Sequence, residues 1–158
     1  RRLCEAGCGF VTVSYQGWDM HGNVKRGMDR RGPDVDRAVA TFVEDIYERG
    51  LDENIVLVVT GEFGRTPRVN KFAGRDHWGP CFFGVFAGAG VQGGQVIGKS
   101  DKHASYPTVL PYSPNDLGAT VYDVLGLPLD AEAYDRFDRP VRLNQGEVIQ
   151  PLFSGAVS

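Results

Sequence analysis

The stretch that decides the fold is Ile55-Val56-Leu57-Val58-Val59, which continues without a break into Thr60-Gly61-Glu62-Phe63-Gly64-Arg65-Thr66-Pro67. The first run is apolar and mostly β-branched, which is typical of a strand buried on both faces. The loop behind it extends to Gly74-Arg75-Asp76-His77-Trp78-Gly79 and gathers carboxylates, arginines and a histidine. Because a long loop inside a compact domain usually serves a function, this pattern predicts an active-site or metal-site loop that follows a buried strand.

The size and composition of the chain are those of one globular domain. It has 158 residues, of which 42% are hydrophobic and 23% are charged, and these values are ordinary for a soluble globular protein. The net charge of −3 gives no electrostatic basis for binding nucleic acid. No apolar run approaches the roughly 20 residues that span a bilayer. We therefore expect neither a nucleic-acid partner nor a membrane span.

The first residues, Arg1 to Gly7, have the pattern of the last turns of a helix, with Gly7 as its C-cap. Because the chain begins inside an element and without Met, we expect it to be the C-terminal part of a larger protein. The cysteines, Cys4, Cys8 and Cys81, are too few for a disulfide scaffold.

The first half of the chain predicts a strand, a helix and a second strand. Phe10–Tyr15 is β-branched and aromatic, as strands are. Pro33 is expected at the first turn of a helix that ends at Gly50, and Ile55–Thr60 is the next strand. Strand, helix and strand in this order predict a parallel pair joined by a right-handed crossover.

The second half predicts a third strand, a capped helix and a hairpin. Cys81–Ala87 has the apolar content of a strand. Ser113-Pro114-Asn115-Asp116 is a capping-box sequence, and it predicts a helix that ends at Gly126. Farther on, residues 141–143 and 148–149 are predicted to form a small hairpin around residues 144–147.

Asp19 and His21 lie in a turn-rich loop just after the first predicted strand. A carboxylate and an imidazole at this spacing suit zinc, manganese or iron. The alternative is that Asp19 caps a turn and His21 is merely exposed. The third histidine of the chain, His103, stands in an irregular segment and is expected to be solvated.

The long loop holds a second group of candidates. Glu62 lies one residue past the buried strand, where a carboxylate needs a cationic partner. That partner could be a metal ion or, as the alternative, the guanidinium of Arg65. Either Asp76 or His77 could be a ligand, or Asp76 could orient an imidazole from behind. Because the two loops should meet at one sheet edge, strand 82–87 must start at that edge beside His77. We therefore predict that this strand runs antiparallel to residues 55–59, within a mixed sheet.

Three motifs carry a resemblance to a known family: Gly17-Trp18-Asp19-Met20-His21, residues 61–67 and residues 74–78. In combination they resemble the bacterial domain of unknown function 1501 family, which is placed with the alkaline phosphatase and sulfatase-like superfamily. The resemblance implies a three-layer α/β/α sandwich with a mixed sheet and a two-metal site at the carboxyl edge of that sheet. It also implies that residues 1–158 are the C-terminal part of a single domain, without its N-terminal half.

The resemblance assigns roles to individual residues. It implies that Asp19, His21 and His77 hold one divalent metal, zinc or manganese, and that Glu62 serves a second. Two departures from the superfamily stand out: the first pair is spaced Asp-x-His instead of Asp-x-x-x-His, and Phe63 occupies the position of a ligating histidine.

The activity implied by the resemblance is metal-assisted hydrolysis of a phosphate or sulfate ester, carried by a small molecule or a glycan. The nucleophile would come from the absent half, and Arg65 and Arg75 would orient the substrate anion. Asp76 would be an alternative ligand or would support one. The family also implies export to the periplasm. The alternative is a non-catalytic protein that binds a metal or an anion and retains the fold. A third hypothesis is a structural domain whose charged loops form only internal salt bridges.

Overall fold

The computed structural model describes residues 1–155, so the last three residues of the predicted domain lie outside the described part. The helices and strands follow in this order: α1 Arg2–Glu5, α2 Val24–Glu48, β1 Val56–Thr60, β2 Gly64–Arg65, β3 His77–Trp78, β4 Gly84–Gly88, β5 Lys99–Ser100, β6 Pro107–Val109, α3 Pro114–Val124, β7 Glu132–Tyr134, β8 Pro140–Arg142 and α4 Pro151–Ser154. Most of the remaining backbone is irregular.

The main sheet is the antiparallel pair of β1 and β4. Its register runs from Val56 opposite Gly88 to Thr60 opposite Gly84. This confirms the predicted direction of the later strand relative to the buried run. A small core cluster of Val91, Ile149 and Leu152 packs against this pair, and Ile46 of α2 is fully buried.

The prediction of a three-layer α/β/α sandwich with a mixed sheet is wrong. The described strands form four separate two-stranded sheets, and each pair is antiparallel. The segment 10–15, predicted as a strand parallel to β1, pairs with no described strand. Its residues have a high β propensity, but propensity describes a side chain's fit to a pleated surface and does not supply a hydrogen-bonding neighbour.

Helix α2 begins nine residues before the predicted start, so Pro33 lies inside the helix and not at its first turn. The start is set by contacts with a distant loop. The backbone N–H groups of Asn23 and Val24 donate to the carbonyls of Phe72 and Ala73 at 3.0 and 2.9 Å. These bonds satisfy two donors that a helix start leaves without partners inside the helix, and they outweigh the local preference of proline for the first turn.

Helix α3 confirms the predicted capping box at its start. Asp116 accepts hydrogen bonds from the backbone N–H and the hydroxyl of Ser113, and the Ser113 hydroxyl accepts from the Asp116 N–H. The hairpin predicted around residues 144–147 is wrong, because this segment docks on α3. The N–H groups of Glu147 and Ile149 donate to Asp116 and Thr120 at 2.8 and 2.9 Å. The hairpin of this region is β7 with β8 instead.

The described structure has a thin core. Its accessible surface is 11403 Å², whereas a monomer of 17.3 kDa is expected to expose about 7,800 Å². Hydrophobic burial therefore contributes less than usual to holding the loops in place.

Replacing Asp116 with alanine should lower the free energy of unfolding by about 1–2 kcal/mol, as the loss of a helix cap does. The N–H of Glu147 and then the groups of Ser113 lower the pKa of Asp116 below 3.8. The folded state therefore favours the charged form, so this stabilisation is present above pH about 4 and is lost as the pH falls below it. Urea denaturation at pH 7 and at low pH measures both effects. Asp123→Ala, an exposed acid on the same helix, is the matched control and should show no comparable loss.

Candidate metal centre

Two loops that are far apart in sequence are joined by backbone hydrogen bonds. The N–H of Arg75 donates to the carbonyl of Met20 at 3.0 Å. Gly22 forms an isolated antiparallel bridge with Ala73, next to the two bonds that start α2. The segment around residues 19–24 is thereby fixed along residues 70–76, and this pairing brings the predicted ligands of the two loops to one place.

Asn70 and Gly74 hold this junction together. The side-chain amide of Asn70 donates to the carbonyl of His21 at 3.0 Å and to Asp76 at 3.1 Å, and its oxygen accepts from two backbone N–H groups of its own loop. Gly74 lies against the backbone of His21, because a Cβ added there would be 2.0 Å from the His21 carbonyl carbon. Only glycine allows this close approach.

The short pair of β2 and β3 places the second half of the site. Arg65 lies directly opposite His77 in this ladder. Gly64 allows the close passage of the chain, since a Cβ there would be 2.0 Å from the carbonyl oxygen of Cys81. Beyond the ladder, the indole N–H of Trp78 donates to the carbonyl of Ser105 at 2.7 Å. His77 is therefore positioned by the β2–β3 ladder and by the anchored side chain of the next residue.

The side chains of Asp19, His21 and His77 form a compact triangle. The Asp19 Oδ1 lies 3.0 Å from the His21 Nε2 and 2.7 Å from the His77 Nε2. The two Nε2 atoms are 3.2 Å apart. The side chains are 64%, 47% and 51% exposed respectively, so one side of the triangle is open to solvent. We call these three residues the metal triangle.

Asp19 is ionised across the ordinary pH range. Hydrogen bonds from His77 and then from Arg65 lower the pKa of Asp19 from 3.8 to about 2. Arg65 contributes through its Nη2, which is 2.8 Å from the Asp19 Oδ1. Since the folded pKa is the lower one, the stabilisation from these contacts is present above pH about 4 and is lost as the pH falls towards 2. The carboxylate is thus available as a charged ligand at neutral pH.

Asp76 fixes the orientation of His21. The His21 Nδ1 lies 2.6 Å from the Asp76 Oδ1, and this contact is the largest cause of the lowered pKa of Asp76. An ionised carboxylate can only accept a hydrogen bond, so the proton must be on Nδ1. In a neutral imidazole with its proton on Nδ1, Nε2 is the atom with a lone pair for a metal, and the Nε2 of His21 faces Asp19 and His77. Metal-ligating histidines characteristically have such a carboxylate partner behind them.

The donor set fits a divalent transition metal. Two imidazole nitrogens and one carboxylate oxygen suit zinc, and three protein ligands with one open side are typical of reactive zinc sites. With metal–ligand bonds of about 2.0–2.1 Å in a tetrahedron, the ligand atoms would be about 3.3 Å apart. The observed separations of 2.7, 3.0 and 3.2 Å are about 0.1 to 0.6 Å shorter than this. The side chains would therefore have to move slightly apart to hold an ion. Manganese accepts the same donor types.

The other predicted site residues lie around the triangle. Glu62 is exposed, and the described cluster of possible ligands contains only Asp19, His21 and His77. The ring of Phe63 packs on His77 with the ring centroids 4.4 Å apart. Arg65 also donates to the carbonyl of Arg75 at 3.3 Å.

Arg75, which was predicted as part of the site, and Asn70, which was not, both stabilise the loop that carries His77. The Nε of Arg75 donates to the carbonyl of Thr66. Asn70 was not predicted as part of the site. The only sequence signal for Asn70 is the Gly74 that follows four residues later. Asn and Gly together are typical of a turn in which the Asn side chain bonds to the backbone of its own loop.

Replacing Asp76 with alanine should weaken zinc binding by about 10- to 100-fold, the usual effect of losing a carboxylate behind a histidine ligand. Asp76→Asn keeps an oxygen acceptor for the Nδ1–H of His21 and should lose less. Competition with a chromogenic chelator measures both affinities. Wild-type affinity in the alanine variant would contradict the role given to Asp76.

The chain matches the family described as "Protein of unknown function (DUF1501)" over residues 1–153. The match covers almost the whole chain, and the protein belongs to that family. No curated protein and no solved structure gave a match. Among the described helices, none combines the length and the apolar character needed to cross a bilayer.

Proposed function

We propose that this protein binds a divalent metal at Asp19, His21 and His77 and hydrolyses a phosphate or sulfate ester there. The observation that supports the proposal is the triangle itself, with three donor atoms of the right kinds 2.7 to 3.2 Å apart. When bound, the ion supplies positive charge and Lewis acidity for the oxygens of an ester. The choice of phosphate and sulfate esters rests on the resemblance of the ligand motifs to those of the alkaline phosphatase and sulfatase-like superfamily. Export to the periplasm belongs to the same proposal.

The residues of the chain have separate tasks in this function. Asp76 holds the proton on the Nδ1 of His21 and so keeps its Nε2 available. Arg65 fixes the Asp19 carboxylate, and Phe63 covers one side of the His77 ring. In the absence of an ion, the Nε2–H of His77 donates a hydrogen bond to the ionised Asp19. A metal binds only to a nitrogen that carries no proton. Protons therefore compete with the metal for these ligands, and metal affinity should decrease as the pH falls.

The test is turnover of an aryl phosphate and an aryl sulfate by the protein loaded with zinc or manganese. We expect turnover above that of the metal-free protein with at least one substrate, and a fall to the metal-free level in His77→Ala. His103→Ala removes an exposed histidine from another loop and should leave turnover unchanged. Turnover that survives the loss of His77 would contradict the proposed site.

A second candidate function is metal or anion binding without catalysis. It is favoured by the surroundings of the triangle, where Phe63 stands at the position of a ligating histidine and Glu62 lies outside the described ligand cluster. In that case the protein would bind zinc with high affinity and release no product from either ester. The metal titration and the turnover assay together separate the two functions.

A further inference from the structure

A groove runs between the loop that carries Asp19 and the first turns of helix α2. It has a volume of about 310 Å³. The residues that matter for its chemistry are Asp19, Met20, Arg26, Gly27, Arg30 and Arg31. We call it the arginine groove. Since Asp19 belongs both to the groove and to the metal triangle, anything bound in the groove lies beside the metal position.

The floor and one wall of the arginine groove are fixed by packing. Met20 is 8% exposed and fills the space above Gly27, where an added Cβ would be 2.2 Å from the Met20 sulfur. The guanidinium of Arg31 packs across Gly17, and its Nε donates to the carbonyl of Gln16 at 3.3 Å. Arg31 therefore attaches the ligand-bearing loop to the helix.

Arg26 and Arg30 are the cations of the groove with no such structural task. Both are exposed, and in the described part of the chain neither side chain makes a hydrogen bond or an ion pair. They are four residues apart, so they lie on one face of the helix, where like charges repel each other. The neighbouring Lys25, in contrast, pairs with Asp29 at 2.6 Å.

The two arginines predicted from the sequence to hold the substrate anion are differently placed. Arg65 is engaged by Asp19 and by a carbonyl, and Arg75 by the carbonyl of Thr66. Their guanidinium groups stabilise the loops of the site. Arg26 and Arg30 instead present planar donor groups to an open groove, a geometry that suits the oxygens of phosphate or sulfate.

We propose that the arginine groove binds an oxyanion group of the substrate, of the phosphate or sulfate type, through Arg26 and Arg30. As a substrate subsite, this assignment rests on the proposed function. The anion would neutralise the repulsion between the two guanidinium groups. A cation in the metal triangle would offset the negative charge of Asp19 at the end of the groove, so the metal and the anion should each strengthen binding of the other.

The first test uses inorganic phosphate and protein that has been freed of metal with a chelator and desalted. Isothermal titration calorimetry at low salt should detect binding. Arg26→Gln and Arg30→Gln should each weaken it by roughly threefold to tenfold, the effect of losing one charge-assisted contact at an open site. The matched control is Arg37→Gln, which removes the same charge from the same exposed helix about 10 Å farther along and should leave the affinity unchanged.

Inorganic sulfate serves as a second probe and should bind to the same two arginines. Equal weakening in all three variants would show attraction to a general positive surface and would overturn the proposal, as would the absence of binding. Because this titration needs no metal, it is independent of the metal assignment. If zinc fails to bind while phosphate still depends on Arg26 and Arg30, the hydrolase proposal falls and the anion site remains. If zinc binds while phosphate binding does not depend on Arg26 and Arg30, the proposal for the arginine groove falls and the hydrolase proposal remains.

Discussion

Replacing His77 with alanine should lower zinc affinity by more than about 100-fold, beyond the range seen when only a supporting residue of a ligand is lost. The substitution removes one of the three donor atoms and the ring that donates to Asp19 at 2.7 Å. A chelator competition titration at pH 7.5 measures the affinity. The two remaining donors, Asp19 and His21, come from one loop and would not enclose an ion.

The control for this experiment is His103→Ala. His103 is exposed, and its described hydrogen bond uses only the backbone N–H, which donates to Asp101 at 2.9 Å. Its removal should leave both the zinc affinity and the fold unchanged. If His77→Ala and His103→Ala bind zinc equally, the metal triangle is not the binding site. Circular dichroism of both variants separates loss of a ligand from loss of structure.

Replacing Gly74 with alanine should damage the site without touching any proposed ligand. The new Cβ would lie 2.0 Å from the carbonyl carbon of His21 and 2.3 Å from the backbone nitrogen of Gly22. Both are backbone atoms, so no side chain can rotate away and the two loops must separate. We expect a loss of about 1–3 kcal/mol in the free energy of unfolding, as for other overpacked positions, together with a loss of zinc affinity as large as that of His77→Ala.

Gly79→Ala is the matched control, because a Cβ at Gly79 meets nothing within 4 Å and the residue has no positive φ. It lies in the same loop region and should be neutral in both measurements. Urea denaturation and chelator competition on the two alanine variants therefore test whether the close contact of the loops creates the site. Unchanged zinc binding in Gly74→Ala would show that the ligands assemble without that contact.

The sequence was informative wherever the signal is local. The start of α3 was predictable because Ser113 and Asp116 bond to each other across three residues. The direction of β4 was predicted from a single argument about the edge at which His77 must lie, and the register of the pair bears it out. The candidate ligands were also identifiable, since carboxylates and histidines beside glycines in long loops are recognisable by type alone.

The sequence was uninformative wherever a segment has to choose a distant partner. Residues 10–15 and 148–149 have similar β-branched character, yet the first pairs with no described strand and the second docks on α3 through Thr120. Every extended residue offers the same backbone donor and acceptor. A local pattern therefore cannot specify which segments will meet. The parallel pair inferred from such patterns was wrong, as was the layered sandwich implied by the family resemblance.

By itself, the sequence determined the residue types of the candidate metal site and the helices and strands whose signals lie within a few positions. Only the tertiary structure brought Asp19 within 2.7 Å of His77, which is 58 residues away, and left Glu62 outside the described ligand cluster. It also revealed Asn70 as the junction of the two loops and Arg26 with Arg30 as the cations of the groove. The reason is that these relations depend on close contacts made in the folded chain, of Gly74 with the backbone of His21 and of Gly27 with the side chain of Met20. The residues next to each glycine give no sign of these contacts.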